Sequence, residues 1–165
     1  MKKFLLLGGL VISIFSLVVW MKNASQKTDV LSLQERVLLI KDGSTHSFLL
    51  DDKEFIFEVV NSNISRMRGL SGRDSIGSDG MLFAFEFVER HSIWMKEMEF
   101  DLDIIWLLNG RVVDITLGAT APKDISSTVG LEIYQPCLGV NQVLEVESGF
   151  VDRWGVEVGD ELIVN

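Results

Sequence analysis

The first strong pattern along the chain is an uncharged apolar stretch. Residues 4–21 follow Lys2 and Lys3, and twelve of these 18 residues are Leu, Ile, Val or Phe. As a helix the stretch would be about 27 Å long, close to the roughly 30 Å of bilayer hydrocarbon. The pattern therefore predicts a transmembrane signal anchor over residues 4–21, behind a short tail of residues 1–3.

A cleaved signal peptide is the alternative. Its apolar core is usually about 7–15 residues long and ends at a small-x-small site. Here Lys22 stands where a small residue should precede Ala24, so we favour an uncleaved anchor. The short N-terminal tail favours a single-pass protein with its domain outside the cytoplasm, although the lysines on the two sides nearly balance. Cleavage would instead give a secreted protein.

Residues 22–45 are predicted to form a juxtamembrane tether. Apolar residues recur there at helical spacing, at Val30, Leu33, Val37 and Leu38. A short helix fits this spacing. A strand over residues 37–40 that joins the following sheet is the alternative.

From His46 the apolar period changes from 3.6 to 2, which is typical of strands. Residues 47–50 and 54–60 are predicted to pair as a hairpin, with Phe55, Phe57 and Val59 on one face. The pattern further predicts a short helix capped by residue 61 or 62, strands over 81–85, 142–146 and 161–164, and a short helix between the last two. These elements indicate one mainly β domain over residues 46–165.

The Asn109-Gly110 pair predicts a type I′ turn, because both residues tolerate positive φ. A regular hairpin around it would pair Leu107 with Val112, Trp106 with Val113 and Ile105 with Asp114. Asp103 and Asp114 would then be diagonal neighbours, about 7–8 Å apart at the backbone. Such a pair could share a proton, a water or a cation. The alternative is that Lys96 or an arginine neutralises the two carboxylates.

Charge and composition limit the partners and the chemistry. The net charge of the chain is −9. The first 27 residues contain four lysines and no acid, so residues 28–165 carry a net charge of −13. Nucleic acid is a poor partner for such a surface. One cysteine, Cys137, excludes an intrachain disulfide. Two histidines without a zinc or serine-hydrolase motif lead us to expect no metal and no cofactor.

Several motifs resemble domain-of-unknown-function family 192 and occur in that family's order. They are GLSGR at 69–73, GMLFAF at 80–85, HSIWMK at 91–96, DLDII at 101–105, NGRVVDI at 109–115, QVLEVESG at 142–149 and WGVEVGDEL at 154–162. The resemblance implies a small jelly-roll-like β-sandwich or barrel with one or two short helices, often exported and without an established activity. Where the family tends to have Asn, Thr and Pro, this chain has Glu97, Met98 and Asp101.

The candidate ligand-binding residues lie near the Trp-Met-Lys centre and the predicted hairpin. In an extended segment, Trp94 and Lys96 share one face, where they could stack a ring or hold an anion, while His91 shares the other. A Trp94 ring buried at the sandwich edge is the favoured alternative. Arg68 and Arg73 flank a Gly-rich turn and could bind a ligand or pair with nearby acids. The complete candidate set is Arg68, Arg73, His91, Trp94, Lys96, Asp103 and Asp114.

The sequence favours a non-catalytic binding or accessory module for an envelope component, attached to the membrane through residues 4–21. A structural or protein-interaction scaffold is the first alternative. A hydrolase of envelope glycans that uses Asp103 and Asp114 is the second.

Overall fold

The computed structural model describes residues 32–124 and 130–165. Within these residues, seven strands form one sheet and two short strands form a separate ribbon. The strands of the sheet are β1 (Ser44–Leu50), β2 (Lys53–Val60), β3 (Gly80–Glu89), β5 (Leu102–Leu108), β6 (Arg111–Ala119), β8 (Val140–Glu147) and β9 (Leu162–Val164). The ribbon consists of β4 (Ile93–Trp94) and β7 (Ile133–Tyr134), and the helices are α1 (Leu33–Leu39), α2 (Asn63–Arg68) and α3 (Phe150–Trp154).

The large sheet is curled into a half-barrel. Its strand order is β6-β5-β8-β3-β2-β1-β9, and its two edges meet at one end. There the Val112 N–H donates to the Asp160 carbonyl at 2.9 Å, and the Leu162 N–H donates to the Gly110 carbonyl at 2.7 Å. The mainly β fold with short helices is confirmed. The strands form one sheet rather than two packed ones, because β3 pairs in parallel with β2 and antiparallel with β8.

Hydrophobic side chains cover both faces of this sheet. The inner face of the half-barrel carries one cluster, which includes Phe57, Leu82 and Leu144. The outer face carries a second cluster, which includes Phe83 and Trp106. A strand that is buried on both faces has a nearly continuous run of apolar residues in its sequence. This explains why β3 and β5 lack the alternation of apolar and polar residues.

Helix α1 is part of the packed domain. Ser32 and Glu35 form a capping box at its start, and Val37 is fully buried in the inner cluster. The Gln34 side chain donates to the Phe85 carbonyl and accepts a hydrogen bond of 2.6 Å from Gln142. The helical alternative for this segment is therefore confirmed and the strand alternative is wrong. The packed unit begins at Ser32 rather than at residue 46.

The Asn109-Gly110 turn is confirmed, with φ of +52° and +86°, and Leu107 pairs with Val112 as predicted. Beyond that pair the predicted register is wrong, since a bulge makes Trp106 pair with Asp114 instead of Val113. The extra residue on β6 moves Asp114 to the outer face with Trp106. Asp103 stays on the opposite face of β5, because side chains alternate along a strand.

The other predicted elements form close to their expected positions. The β1–β2 hairpin pairs Leu50 with Lys53, and Ser62 caps α2. Gly149 occupies the N-cap position of helix α3. In residues 32–124 and 130–165 we find no helix with the length and hydrophobicity needed to cross a bilayer. The predicted tail and anchor, residues 1–3 and 4–21, lie outside the described residues, as do residues 22–31 of the tether.

Candidate ligand-binding site

A cavity of about 580 Å³ lies on the outer face of the sheet, and we call it the outer-face cavity. It is bounded by α2, β3, β4 and the sheet strands β5 and β8. Most of its walls are apolar and come from Leu70, Phe83, Phe85, Ile93, Met98 and Leu102. This volume and this lining are typical of sites that take small organic molecules.

Glu145 of β8 lines this cavity with a buried carboxyl group. The residue is only 5% exposed and lies between Met81 of β3 and Ile104 of β5 in the sheet. Within the part of the chain that the structure describes, no hydrogen-bond donor and no cation contacts its carboxyl group. Burial alone raises the pKa of Glu145 to about 8. The group is therefore mostly protonated at neutral pH.

Glu145 is absent from the candidate set that the sequence predicts, because the pattern over residues 142–146 indicates only a strand. A signal was present, because Glu145 is the one charged residue between Val140 and Val146. In a central strand covered on both faces, a charged residue at such a position is unusual. Only the topology, which puts β8 between β5 and β3, reveals that the Glu145 face is covered.

Trp94 lies at the mouth of the cavity and is 55% exposed. The favoured expectation of a buried Trp94 is therefore wrong. The Lys96 ammonium lies 5.9 Å from the centroid of the Trp94 ring, which confirms that the two side chains share a face. Lys96 also pairs with Glu97 at 3.5 Å. Trp94 is exposed because Ile93 and Met95 take the buried positions of this extended segment.

The predicted arginines have different environments. Arg68 is exposed and lines the cavity, and no ion pair to it is found within residues 32–124 and 130–165. Arg73 lies outside the cavity and makes two hydrogen bonds, of 2.7 and 3.0 Å, to the Glu58 carboxylate. Arg66, which was not predicted, lines the cavity, donates to the Asn61 and Ala84 carbonyls and stacks over Phe85 at 5.1 Å.

His91 lies beside the cavity rather than in it. Its ring stacks on Phe85 with centroids 3.6 Å apart, and burial lowers its pKa. Both residues line a separate shallow depression with Arg66 and Phe87. His91 thus supports the cavity wall from behind by holding Phe85.

Asp103 and Asp114 do not form the predicted pair. The buried Asp103 carboxylate accepts hydrogen bonds from the Gly118, Gly149 and Val151 N–H groups at 2.9, 3.0 and 3.1 Å, two of them at the start of α3. Asp114 accepts from the Cys137 N–H at 2.8 Å. Burial raises the pKa of Asp114, but hydrogen bonds from Cys137 and Ile115 outweigh it and the net shift is downward. Backbone groups, not Lys96 or an arginine, satisfy both carboxylates.

One of the three residues that differ from the family pattern lines the cavity. Met98 is buried and lines it, so a thioether occupies the place where the family tends to have a hydroxyl. Glu97 has φ of +57°, in the left-handed region that Asn adopts more readily. The Asp101 carboxylate accepts a hydrogen bond from the Ala121 N–H at 2.7 Å. The cavity is consequently more apolar than a threonine at position 98 would make it.

The fold and the cavity define a small half-barrel domain whose sheet carries a buried acid beneath an apolar pocket. The chain belongs to domain-of-unknown-function family 192, described as an uncharacterized ACR, whose model matches residues 46–164. No curated protein matches the chain in sequence.

Two crystal structures resemble the chain. One is of a protein from Sinorhizobium meliloti 1021, provisionally described as a transcription regulator, with 26% identity, a TM-score of 0.66, and coverage of 76% of this chain and 97% of that one. The other is of a protein of unknown function from Novosphingobium aromaticivorans DSM 12444, with 22% identity, a TM-score of 0.61, and coverage of 72% and 84%. The second likeness concerns the fold alone.

Proposed function

We propose that this chain is a non-catalytic binding module that takes a small, largely apolar ligand in the outer-face cavity. The observation that carries the proposal is the cavity itself, with apolar walls and an exposed Trp94 at its mouth. An exposed aromatic ring at the entrance of an apolar pocket offers contact area at low entropic cost. Arg68 and Lys96 add positive charge near that entrance.

In this proposal the module is tethered through residues 4–21 and acts outside the cytoplasm on an envelope component. The uncharged apolar stretch behind Lys2 and Lys3 supports the tether. The charge of −13 on residues 28–165 opposes contact with nucleic acid, because phosphates would be repelled. For this reason we do not extend the description of the Sinorhizobium protein to this chain.

The observed pairing of β5 with β6 does not support a hydrolase that uses Asp103 and Asp114. The two side chains lie on opposite faces of the sheet, and each is bound by backbone N–H groups. Within the described residues, Glu145 is the sole carboxylate that lines the cavity, whereas glycoside hydrolysis ordinarily uses two. Binding without catalysis therefore fits the site better.

The test is calorimetric titration of the full chain in zwitterionic lipid nanodiscs with tryptophol, a soluble neutral indole. Empty nanodiscs provide the blank. We expect saturable binding that Trp94→Ala weakens about 5- to 30-fold, the loss of roughly 1–2 kcal/mol of aromatic contact. Leu138→Ala is the matched control, because Leu138 is 59% exposed and does not line the cavity. Equal binding by both variants and the unmodified chain would count against the cavity as the site.

A second candidate, a protein-interaction scaffold, is favoured by three exposed apolar residues, Phe87, Val88 and Leu138. Val88 and Leu138 are near each other, since Gly139, which follows Leu138, lies against Val88. A photo-crosslinking residue at position 87 tests this role in membranes. A discrete protein adduct that is missing with the same group at the exposed Leu39 would favour the scaffold.

A further inference from the structure

We propose that Glu145 makes the outer-face cavity a site for a small apolar amine, whose ammonium group pairs with the buried carboxylate. The inference rests on the proposed function, cavity binding, and adds the chemical class of the ligand. Its basis is geometric. Glu145 is only 5% exposed, its carboxyl group has no hydrogen-bond partner within the described residues, and it lines a cavity large enough for an organic molecule.

A buried and unpaired carboxyl group opposes folding. Burial without a hydrogen bond costs about 1–3 kcal/mol for a neutral polar group and more for a charge. The same face of the sheet carries Met81 and Ile104 beside Glu145, so an apolar residue would suit the fold at this position. Glu145 is therefore better explained by a group that enters the cavity than by packing.

An amine satisfies this group better than other ligand classes. An ammonium ion offers three donors and a positive charge, and a charge-assisted hydrogen bond is roughly twice as strong as a neutral one. An alcohol supplies only the neutral bond, and a carboxylate ligand would be repelled by Glu145. A metal ion needs more ligands, and residues 32–124 and 130–165 contain no group of three His, Cys, Asp or Glu residues that could hold one.

The arginines do not replace the ligand. Arg66 and Arg68 are the other charged residues that line the cavity, and neither forms an ion pair with Glu145. The Arg66 guanidinium is already bound to the Asn61 and Ala84 carbonyls and to the Asn63 side chain. Arg68 is exposed to solvent. Within the described residues, neither arginine therefore satisfies the Glu145 carboxyl group.

The remaining walls fit an apolar body. Phe83, Leu70 and Leu102 line the cavity together with Glu145, and the exposed Trp94 also lines it. The net charge of the domain also favours the approach of cations over anions. An aryl-alkyl amine therefore matches the cavity in shape, polarity and charge.

Binding of an amine must release a proton when Glu145 is protonated beforehand. The protonated carboxyl and the ammonium ligand give the carboxylate–ammonium pair and one proton to solvent. Because the pKa of the free carboxyl is about 8, this release occurs below pH 8, and affinity should rise tenfold per pH unit as pH increases toward 8. Arg66 and Arg68 are the other charged groups of the cavity, and His91 lies beside it, against Phe85.

The experiment compares three ligands that share an indole ring with a two-carbon side chain and differ in its terminal group. They are tryptamine, tryptophol and indole-3-propionate, and each is titrated into the full chain in nanodiscs. We expect tryptamine to bind at least tenfold more tightly than either of the others at pH 8. Titration at pH 7 in buffers of different ionisation enthalpy should show release of close to one proton per tryptamine. Glu145→Gln should abolish the proton release and reduce tryptamine affinity at least tenfold, far more than it reduces tryptophol affinity.

Glu147→Gln is the matched control, because Glu147 lies on the same strand but is exposed. It should leave tryptamine binding unchanged. Equal affinity for tryptamine and tryptophol, or unchanged tryptamine binding in Glu145→Gln, would overturn the amine proposal. If tryptophol still binds in a Trp94-dependent manner, cavity binding stands and only the ligand class is wrong. If no indole binds, both proposals fail. The proton count on the unmodified chain tests the inference even if the variant does not fold.

Discussion

Glu145 links stability and pH at the scale of single residues. Its pKa is near 4.5 in an unfolded chain and about 8 in the folded domain. Between these values the folded state holds a proton that the unfolded state releases. The stabilising effect of this proton is complete below about pH 4.5 and is lost as pH rises toward 8. At pH 7 the raised pKa of Glu145 therefore lowers the free energy of unfolding by about 3 kcal/mol, compared with its value below pH 4.5.

We therefore expect Glu145→Gln to increase the free energy of unfolding in the absence of ligand. The gain should be small at pH 5 and grow to a few kcal/mol by pH 8, because the amide needs no proton to be neutral. Urea unfolding of residues 32–165, followed by circular dichroism across this range, measures the difference. Other carboxylates with lowered pKa values, such as Asp42, contribute equally to both curves. Parallel curves for the two proteins would show that Glu145 titrates normally.

Glu97 is a second residue whose environment predicts a change in stability. Its φ of +57° is unfavourable for a Glu and better tolerated by Asn. We expect Glu97→Asn to raise the free energy of unfolding by about 0.5–1 kcal/mol, since the exposed pair with Lys96 contributes little. Glu97→Gln is the control, because it removes the charge without easing the backbone. A gain as large in the Gln variant would assign the effect to charge instead.

Helix α1 shows how an element outside the recognised motifs completes the domain. It packs Val37 into the inner cluster, and its Gln34 side chain bridges the Phe85 carbonyl and Gln142 of the central strand. A segment expected to serve as a tether thus seals one side of the half-barrel. Its sequence alone could not show this, because a seven-residue amphipathic helix has the same pattern whether it packs on its own domain or elsewhere.

We expect Val37→Ala to lower the free energy of unfolding by about 2 kcal/mol, since it removes buried methyl groups and leaves a cavity. Leu39→Ala provides the comparison on the same helix, because Leu39 is 75% exposed. That variant should change stability by less than about 0.5 kcal/mol. Chemical denaturation of residues 32–165 measures both. Similar small effects for the two variants would mean that α1 is not docked in solution.

Regular patterns made some elements predictable and left others undetermined. The β1–β2 hairpin and the Asn109-Gly110 turn could be predicted, because alternation and positive-φ residues act locally. The β6 bulge could not, since Val112 and Val113 are both apolar and satisfy either register. The same holds for the site. Trp94 and Arg68 belong to local motifs, whereas the role of Glu145 depends on which strands flank β8.

At the scale of the whole molecule, the residues from Ser32 to Asn165 form one compact unit. The predicted anchor ends at residue 21, so only about ten residues connect it to α1. An extended linker of that length spans at most about 35 Å.

An uncleaved anchor predicts that the mature chain keeps its N-terminal residues and remains in membranes after alkaline carbonate extraction. Intact-mass measurement of the purified membrane form should give the full 18.5 kDa chain. Replacing Leu10 and Val11 by Arg is the decisive variant. A charge at the centre of a span costs about 2.5–3.5 kcal/mol per residue, and two such charges offset most of the favourable free energy of inserting the apolar residues into the bilayer. That chain should become extractable, whereas the same replacements at Lys22 and Lys27 should not change its partition. A mature chain that starts near Ser25 would show instead that the N-terminal segment is cleaved. The binding domain would then be released from the membrane.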